Sequence, residues 1–219
     1  MPRLLFEKTG NAVWISHLDL MRLFQRAFKR ADLPLTHSGG FTPRPQVSIA
    51  LPLSVGVESQ CELLDFDLDG ATPPMEEIRA RLNQALIPGV RVLEVYGEGR
   101  KIRDLALLNC RITLEYDNGI PNGAAGAIAG LFAQDTLLVE KKGKNGPVEQ
   151  DIIPMIRKLD VTAPDSNTLV LQALICCQNP ALNPGQLCAA IEKELPQCRP
   201  DFAKVCRLEI YDTNETIFR

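Results

Sequence analysis

Leu4-Leu5-Phe6 and Val13-Trp14-Ile15 are two apolar runs separated by Thr9-Gly10-Asn11, a pattern that predicts a strand interrupted by a turn or bulge. From Leu18 to Ala31 the period changes. Leu18, Met21, Phe24 and Phe28 recur at helical spacing, and Leu20, Leu23, Ala27 and Ala31 widen the stripe. Ser16, with Asp19 three residues on, marks the start of that helix. The paired glycines and flanking prolines of His37-Ser38-Gly39-Gly40-Phe41-Thr42-Pro43-Arg44-Pro45 predict a loop. Val47, Ile49 and Leu51, and then Leu64, Phe66 and Leu68, alternate with polar residues as half-buried strands. Thr72-Pro73-Pro74 opens a second helix whose inner face is Met75, Ile78, Leu82 and Leu86; Pro88-Gly89 ends it, and Val90 to Tyr96 reads as a strand. The order β-α-β-β-α-β over residues 1–98 is that of a ferredoxin-like, split βαβ sandwich.

Gly97 to Lys101 interrupts the apolar pattern as a linker, and a similar order then recurs over residues 104–219. Leu108 to Tyr116 alternates as a strand, and a glycine-rich helix runs from Pro121 to Phe132. Leu137-Leu138-Val139 reads as a strand, Lys141 to Gln150 as an exposed loop, and Asp151 to Leu159 as a short helix, so an insertion is expected near 141–160. Leu169 to Cys176 predicts a central strand, Asn183-Pro184 with Gln186 a helix start, and Cys206, Leu208 and Ile210 a last strand. The expected architecture is therefore α+β, with two ferredoxin-like sandwiches in tandem. The repeat is one of element order only, without shared motifs.

Charge sharpens this picture at one end. Residues 1–46 hold Arg3, Lys8, Arg22, Arg26, Lys29, Arg30 and Arg44 against Glu7, Asp19 and Asp32, a local net of +4 in a chain whose overall charge is -3. Arg22, Arg26, Lys29 and Arg30 fall within about 100° of one another on a helix of 3.6 residues per turn. Phosphates are bound by several cations at matched spacing, by backbone N–H groups where glycine permits close approach, and unpaired bases by an aromatic plane. Arg22, Arg26, Lys29, Arg30, Gly39, Gly40, Phe41 and Arg44 together supply all three and form the candidate nucleic-acid site. The competing readings are a solvated helix followed by a turn with Phe41 in the core, and a protein-docking surface.

The segment from Leu4 to Ser59, above all SHLDLMR, FQRAFKRADLPL, SGGFTPRP and ALPL, resembles the bacterial radical-SAM-linked protein family, a domain of unknown function. That resemblance implies association with a cobalamin-type radical SAM protein as partner, and a link to RNA processing or modification. It brings no catalytic residues with it. The same helix and loop are also similar to the ferredoxin-like RNA-binding proteins of the repeat-associated CRISPR class, which grip RNA with basic residues and a glycine-rich loop. In that class the loop typically lies near a C-terminal end, whereas here it lies near the start, a departure that puts any transfer of that class's nuclease chemistry in doubt.

The remaining chemistry is bounded by what the chain lacks. Radical SAM catalysis needs a Cys-x3-Cys-x2-Cys run, and the sequence has none, so the chain is not itself the radical enzyme. Cys176, Cys177, Cys188, Cys198 and Cys206 contain no Cys-x2-Cys knuckle, and buried free thiols are expected rather than a metal site. Asp65, Asp67 and Asp69 spread over about 13 Å along a strand, too far apart for one ion. Phosphate-loop, dinucleotide and nucleophile-elbow motifs are absent, and no cofactor is expected. His17 and His37, the only histidines, are the weak catalytic candidates for a metal-independent endoribonuclease. No apolar stretch is long enough for a membrane span, and the N-terminus lacks an apolar h-region, so a cytoplasmic location with no membrane is expected. The reading reached from sequence is a non-catalytic RNA-binding accessory that presents tRNA or rRNA to a radical SAM enzyme. Its alternatives are a purely protein-binding subunit of that enzyme and the endoribonuclease.

Overall fold

Leu4 and Phe6 lie on one face of strand β1 (Arg3–Lys8) and are fully buried there. Helix α1 (His17–Arg30) packs on that face through Leu20, Phe24, Ala27 and Phe28. The chain, in a computed structural model that describes residues 1–143 and 146–219, is an α+β protein with four α-helices among the described residues. It divides into two units, Met1–Ile102 with Arg219, and Arg103–Phe218.

The first unit continues with β2 (Val47–Ile49), β3 (Glu58–Phe66), α2 (Met75–Ala85) and β4 (Val90–Tyr96). Its strands lie in the order β4-β1-β3-β2 with every pairing antiparallel. Both helices cover one sheet face, where Leu64, Phe66 and Val92 meet Ile78 and Leu82 of α2. Val90, Val92 and Val95 all face that core despite the odd spacing, because a register shift between Leu5 and Phe6 changes the phase of the pleat. Asn83 ties α2 to β4: its amide donates to the Val92 carbonyl at 2.9 Å and accepts from the Val92 N–H at 2.8 Å. Arg3, nearly fully buried, forms a two-pronged pair with Asp65 across β1 and β3, at 2.6 and 3.0 Å.

Two expectations about this unit change. Val13-Trp14-Ile15 is not a strand; Gly10–Trp14 forms 3-10 turns instead. The fully buried ammonium of Lys8 donates to the carbonyls of Val13, at 3.1 Å, and Ile15, at 2.9 Å, which folds this segment back over the end of β1. Leu18 is exposed rather than buried. It lies about 200° around the helix from Leu20, and the deeper Leu20/Phe24/Phe28 row sets the inward face.

The second unit runs β5 (Leu107–Glu115), α3 (Ala124–Phe132), β6 (Leu138–Gly143), β7 (Gly146–Asp151), β8 (Ile156–Thr162), β9 (Thr168–Cys176), α4 (Pro184–Glu194) and β10 (Phe202–Tyr211). Its main strands lie in the order β10-β5-β9-β8, again all antiparallel. Ile128, Leu131, Leu187 and Ile191 are the buried residues of α3 and α4. Asn183 and Gln186 form a reciprocal capping box at the start of α4. The segment expected to be a loop from Lys141 to Gln150 instead belongs largely to the β6–β7 hairpin; its Lys144 and Asn145 lie outside the described residues. The helix expected from Asp151 to Leu159 is a single 3-10 turn, Ile153–Met155, followed by β8. Asp151, just before that turn, accepts from the N–H groups of Leu137 and Ile153, and Ile156 to Thr162 then pair with β9 through a register shift between Ile156 and Lys158, which outweighs a short isolated helix.

Gly89 and Gly70 both have positive φ, +87° and +91°, but only Gly89 is crowded: a Cβ there would lie 2.5 Å from the Thr9 carbonyl oxygen, whereas one at Gly70 meets nothing. Gly70→Ala is expected to lose about 1–2 kcal/mol from left-handed backbone alone, and Gly89→Ala distinctly more, because Thr9 must move as well. Urea unfolding midpoints compare the two directly, and equal losses would contradict the close approach.

Candidate nucleic-acid interface

The polar face of α1 follows from its inner one. With Leu20, Phe24, Ala27 and Phe28 against the sheet, Arg22, Arg26, Lys29 and Arg30 are all left exposed. They are not equivalent. Asp19 takes the Arg22 guanidinium at 3.0 Å and the Ser16 hydroxyl at 2.7 Å; the Ser16 bond first, and Arg22 next, hold its carboxyl below the usual carboxylate range. Arg30 donates to the Ala85 carbonyl at the end of α2, at 2.6 Å, satisfying an orphan helix-terminal acceptor. Among the described residues, neither Arg26 nor Lys29 has a side-chain hydrogen bond or ion pair. Arg22 and Arg26 share an open hollow of about 370 Å³ with Ile15, Asp19 and Leu23.

The glycine-containing loop is a two-stranded finger. Thr36 N–H donates to the Asp67 carbonyl and the Gln46 N–H to the Thr36 carbonyl, at 2.9 and 2.8 Å, and His37 bridges to Pro45. Above this, the Ser38 N–H donates to the Arg44 carbonyl at 2.9 Å, and the Arg44 N–H to the Ser38 hydroxyl at 3.1 Å. Gly39, Gly40, Phe41, Thr42 and Pro43 form the tip. Gly40 has φ +106°, a conformation that favours glycine, and a Cβ at Gly39 or Gly40 would meet open space. Phe41 is fully exposed, not packed in a core. An unburied phenylalanine at a finger tip is the arrangement that stacking on a base requires.

A cavity of about 390 Å³ lies where the C-terminal half of α1 meets the base of the finger. Phe28, Leu33, Pro34, Leu35 and Pro45 give it apolar walls; Gln25, Lys29, Asp32 and His37 give it polar ones. The structure thus brings Lys29 to the finger, while Arg22 and Arg26 line the separate hollow. Sequence reasoning did not single out Gln25 or Asp32. The available signal was an acidic residue directly after the basic end of a helix. It also placed Trp14 in a strand; Trp14 is 66% exposed over Gly56, in a unit whose other exposed apolar side chains include Leu18 and Val55.

The two histidines are not brought together. His17 is the first residue of α1, with its Nδ1 buried and unpartnered, whereas His37 lines the cavity that Lys29 lines. Along the α1 axis His17 lies about 18 Å from Lys29, twelve residues on, so it stands well away from the helix end that lines the cavity with His37.

The family model described as "Uncharacterized protein conserved in bacteria (DUF2344)" matches residues 2–184. No curated protein matches. Among solved structures, "Crystal Structure of an Unknown Protein from Galdieria sulphuraria" is similar with 10% sequence identity and a TM-score of 0.26, over 97% of each chain. No helix among the described residues is long and apolar enough to cross a membrane.

The acidic and thiol groups offer no competing centre among the described residues, where no three metal-ligating side chains gather. Asp65 is taken by Arg3, and Asp67 accepts from the Thr36 hydroxyl at 3.0 Å. All seven cysteines are free. Burial pushes the thiols of Cys110 and Cys177 up to about 12 and that of Cys188 up to about 11, which suppresses nucleophilic and ligating thiolate. Because the folded value of Cys110 lies above its ordinary 9.0, the stability it contributes is complete below pH 9 and is lost as pH rises towards 12. At pH 8 burial therefore holds Cys110 as the neutral thiol. Cys110 is expected to stay unmodified by iodoacetamide at that pH in the native protein and to react in urea, as read by peptide mass spectrometry; rapid native labelling would contradict its burial.

Proposed function

The chain belongs to the bacterial family DUF2344, and from the geometry of its first unit we propose that it is a non-catalytic RNA-binding accessory protein that presents tRNA or rRNA to a radical SAM modification enzyme. The observation that carries the reading is the finger of residues 35–47, with Phe41 fully exposed at its glycine tip and the unpaired Lys29 of α1 at its base, while Arg26 lines a separate hollow along the same helix. Arg26 and Arg44 contact phosphate, Lys29 contacts the RNA at the base of the finger, Phe41 stacks on an unpaired base, and Gly39 and Gly40 let the backbone approach. Arg22 is taken up by Asp19 within the first turns of α1, Arg30 ties the end of α1 to the Ala85 carbonyl of α2, and both add to the field. Each unit is read as a ferredoxin-like sandwich, supported by the matching strand orders β4-β1-β3-β2 and β10-β5-β9-β8. The radical SAM partner rests on the sequence resemblance of residues 4–59, not on the geometry.

A second reading, that the chain docks on a protein partner only, is favoured by the exposed Trp14 and Leu18. Salt separates the two, since phosphate contacts release counterions and apolar docking does not. The separation of His17 and His37 weighs against the endoribonuclease.

Arg26→Gln/Arg44→Gln removes two exposed cations that anchor no structure through their side chains. The double variant is expected to keep its melting temperature and lower the slope of log affinity against log salt by about 1.4 for single-stranded RNA, roughly 0.7 per phosphate. Fluorescence anisotropy with a labelled oligoribonucleotide reads this, and an unchanged slope would overturn the assignment.

A further inference from the structure

Asp32 breaks two local rules at once. It adopts φ +54°, a left-handed conformation, at the position after a helix where glycine is usual. The Leu33 N–H donates back to the Phe28 carbonyl at 3.0 Å and the Asp32 N–H to the Lys29 carbonyl at 3.3 Å, which defines a Schellman ending with aspartate in the glycine place. Its carboxylate also lies beside the negative end of the α1 dipole, where a cation is favoured. No hydrogen bond or ion pair to that exposed carboxylate exists among the described residues. The side chains of Gln25, Lys29 and His37 are unpartnered in the same sense, and all four groups line the one cavity of about 390 Å³.

That volume falls within the range of about 300–1,000 Å³ typical of ligand sites. Its walls combine a buried apolar side, Phe28, Leu33 and Leu35, with an edge of separated polar groups. An ionised carboxylate only accepts hydrogen bonds, so its ligand must present donors. Lys29 only donates, and the Gln25 amide does both, so the same ligand must present acceptors as well. Guanine meets this pattern: its N1–H and N2–H₂ lie side by side for the two carboxylate oxygens, and its O6 and N7 accept. Adenine, cytosine and uracil lack a pair of adjacent donors.

We propose that the cavity between the end of α1 and the base of the finger takes an unpaired guanine base of single-stranded RNA, with Asp32 reading its N1–H and N2–H₂ edge. The inference rests on the RNA-binding reading of the same unit and adds base selectivity to it. Lys29 and Gln25 donate to the acceptor edge, and His37, on the finger, faces the ribose-phosphate.

The test measures anisotropy of labelled oligouridylates carrying a single central guanine, adenine, cytosine or uracil, against the full-length protein and Asp32→Asn. Asparagine tolerates positive φ and keeps the shape while replacing the carboxylate with an amide. Wild type is expected to bind the guanine oligomer at least about tenfold more tightly than the all-uracil one, the discrimination of a good two-bond base contact. Asp32→Asn should lose that preference, binding the guanine and all-uracil oligomers alike. Equal wild-type affinity for all four oligomers overturns the guanine pocket and leaves RNA binding standing. A guanine preference that survives Asp32→Asn overturns the pocket as well. No binding of any oligomer by wild type overturns the RNA reading, and the pocket with it.

Discussion

Two aromatic pairs decide how the first unit is arranged. Phe24 of α1 meets Phe6 of β1 edge-on with ring centroids 4.7 Å apart, and Phe28 meets Phe66 of β3 at 5.0 Å. All four rings are fully buried. Burying each is worth about 1.5–3 kcal/mol, with about 0.5–1.5 kcal/mol more for each pair. Because the two helical partners are four residues apart, they fix the rotation of α1 about its axis, and that rotation sends Arg22, Arg26, Lys29 and Arg30 outward together. Phe28 also anchors the helix end, where it accepts from Leu33, so the chain turns directly into the finger.

The basic stripe is better understood as a division of labour than as a uniform patch. Arg22 stabilises the first turn through Asp19, and Arg30 closes the end of α2. Exposed pairs of this kind contribute little to stability, typically 0–1 kcal/mol, but they fix where the guanidinium points. Arg26 and Lys29 remain uncommitted between these two, Arg26 lining the open hollow and Lys29 the cavity at the finger base. The finger beside them is held by backbone hydrogen bonds at its base, so its tip can carry a glycine pair and an unburied phenylalanine without unravelling.

Asp32 gives this surface its sign pattern. A purely cationic groove attracts any phosphate chain, whereas a single acceptor-only group set among donors can distinguish one base edge from another. Its unfavourable backbone and its position at the negative end of a helix dipole place it among residues kept at a local cost.

The sequence alone determined the elements whose pattern is unambiguous: α1 from its 3.6-residue period and Ser16 cap, α2 between prolines, α4 from its Asn183 capping box, and β9 from an apolar run broken only at Gln172. It also determined that the cations, the paired glycines and Phe41 lie on adjacent segments. It misjudged places where a distant group overrides local preference. Val13 to Ile15 has strand composition, yet the buried Lys8 ammonium captures its carbonyls; Ile156 to Leu159 can start a helix, yet β9 offers a ladder. Nor could periodicity tell which arginine is already bound, since the Ala85 carbonyl that takes Arg30 lies 55 residues away. The cavity is a tertiary product for the same reason. Phe28 and Lys29 come from the helix, Asp32 from its left-handed ending and His37 and Pro45 from the finger, and only the packing of α1 on the sheet sets these segments around one space.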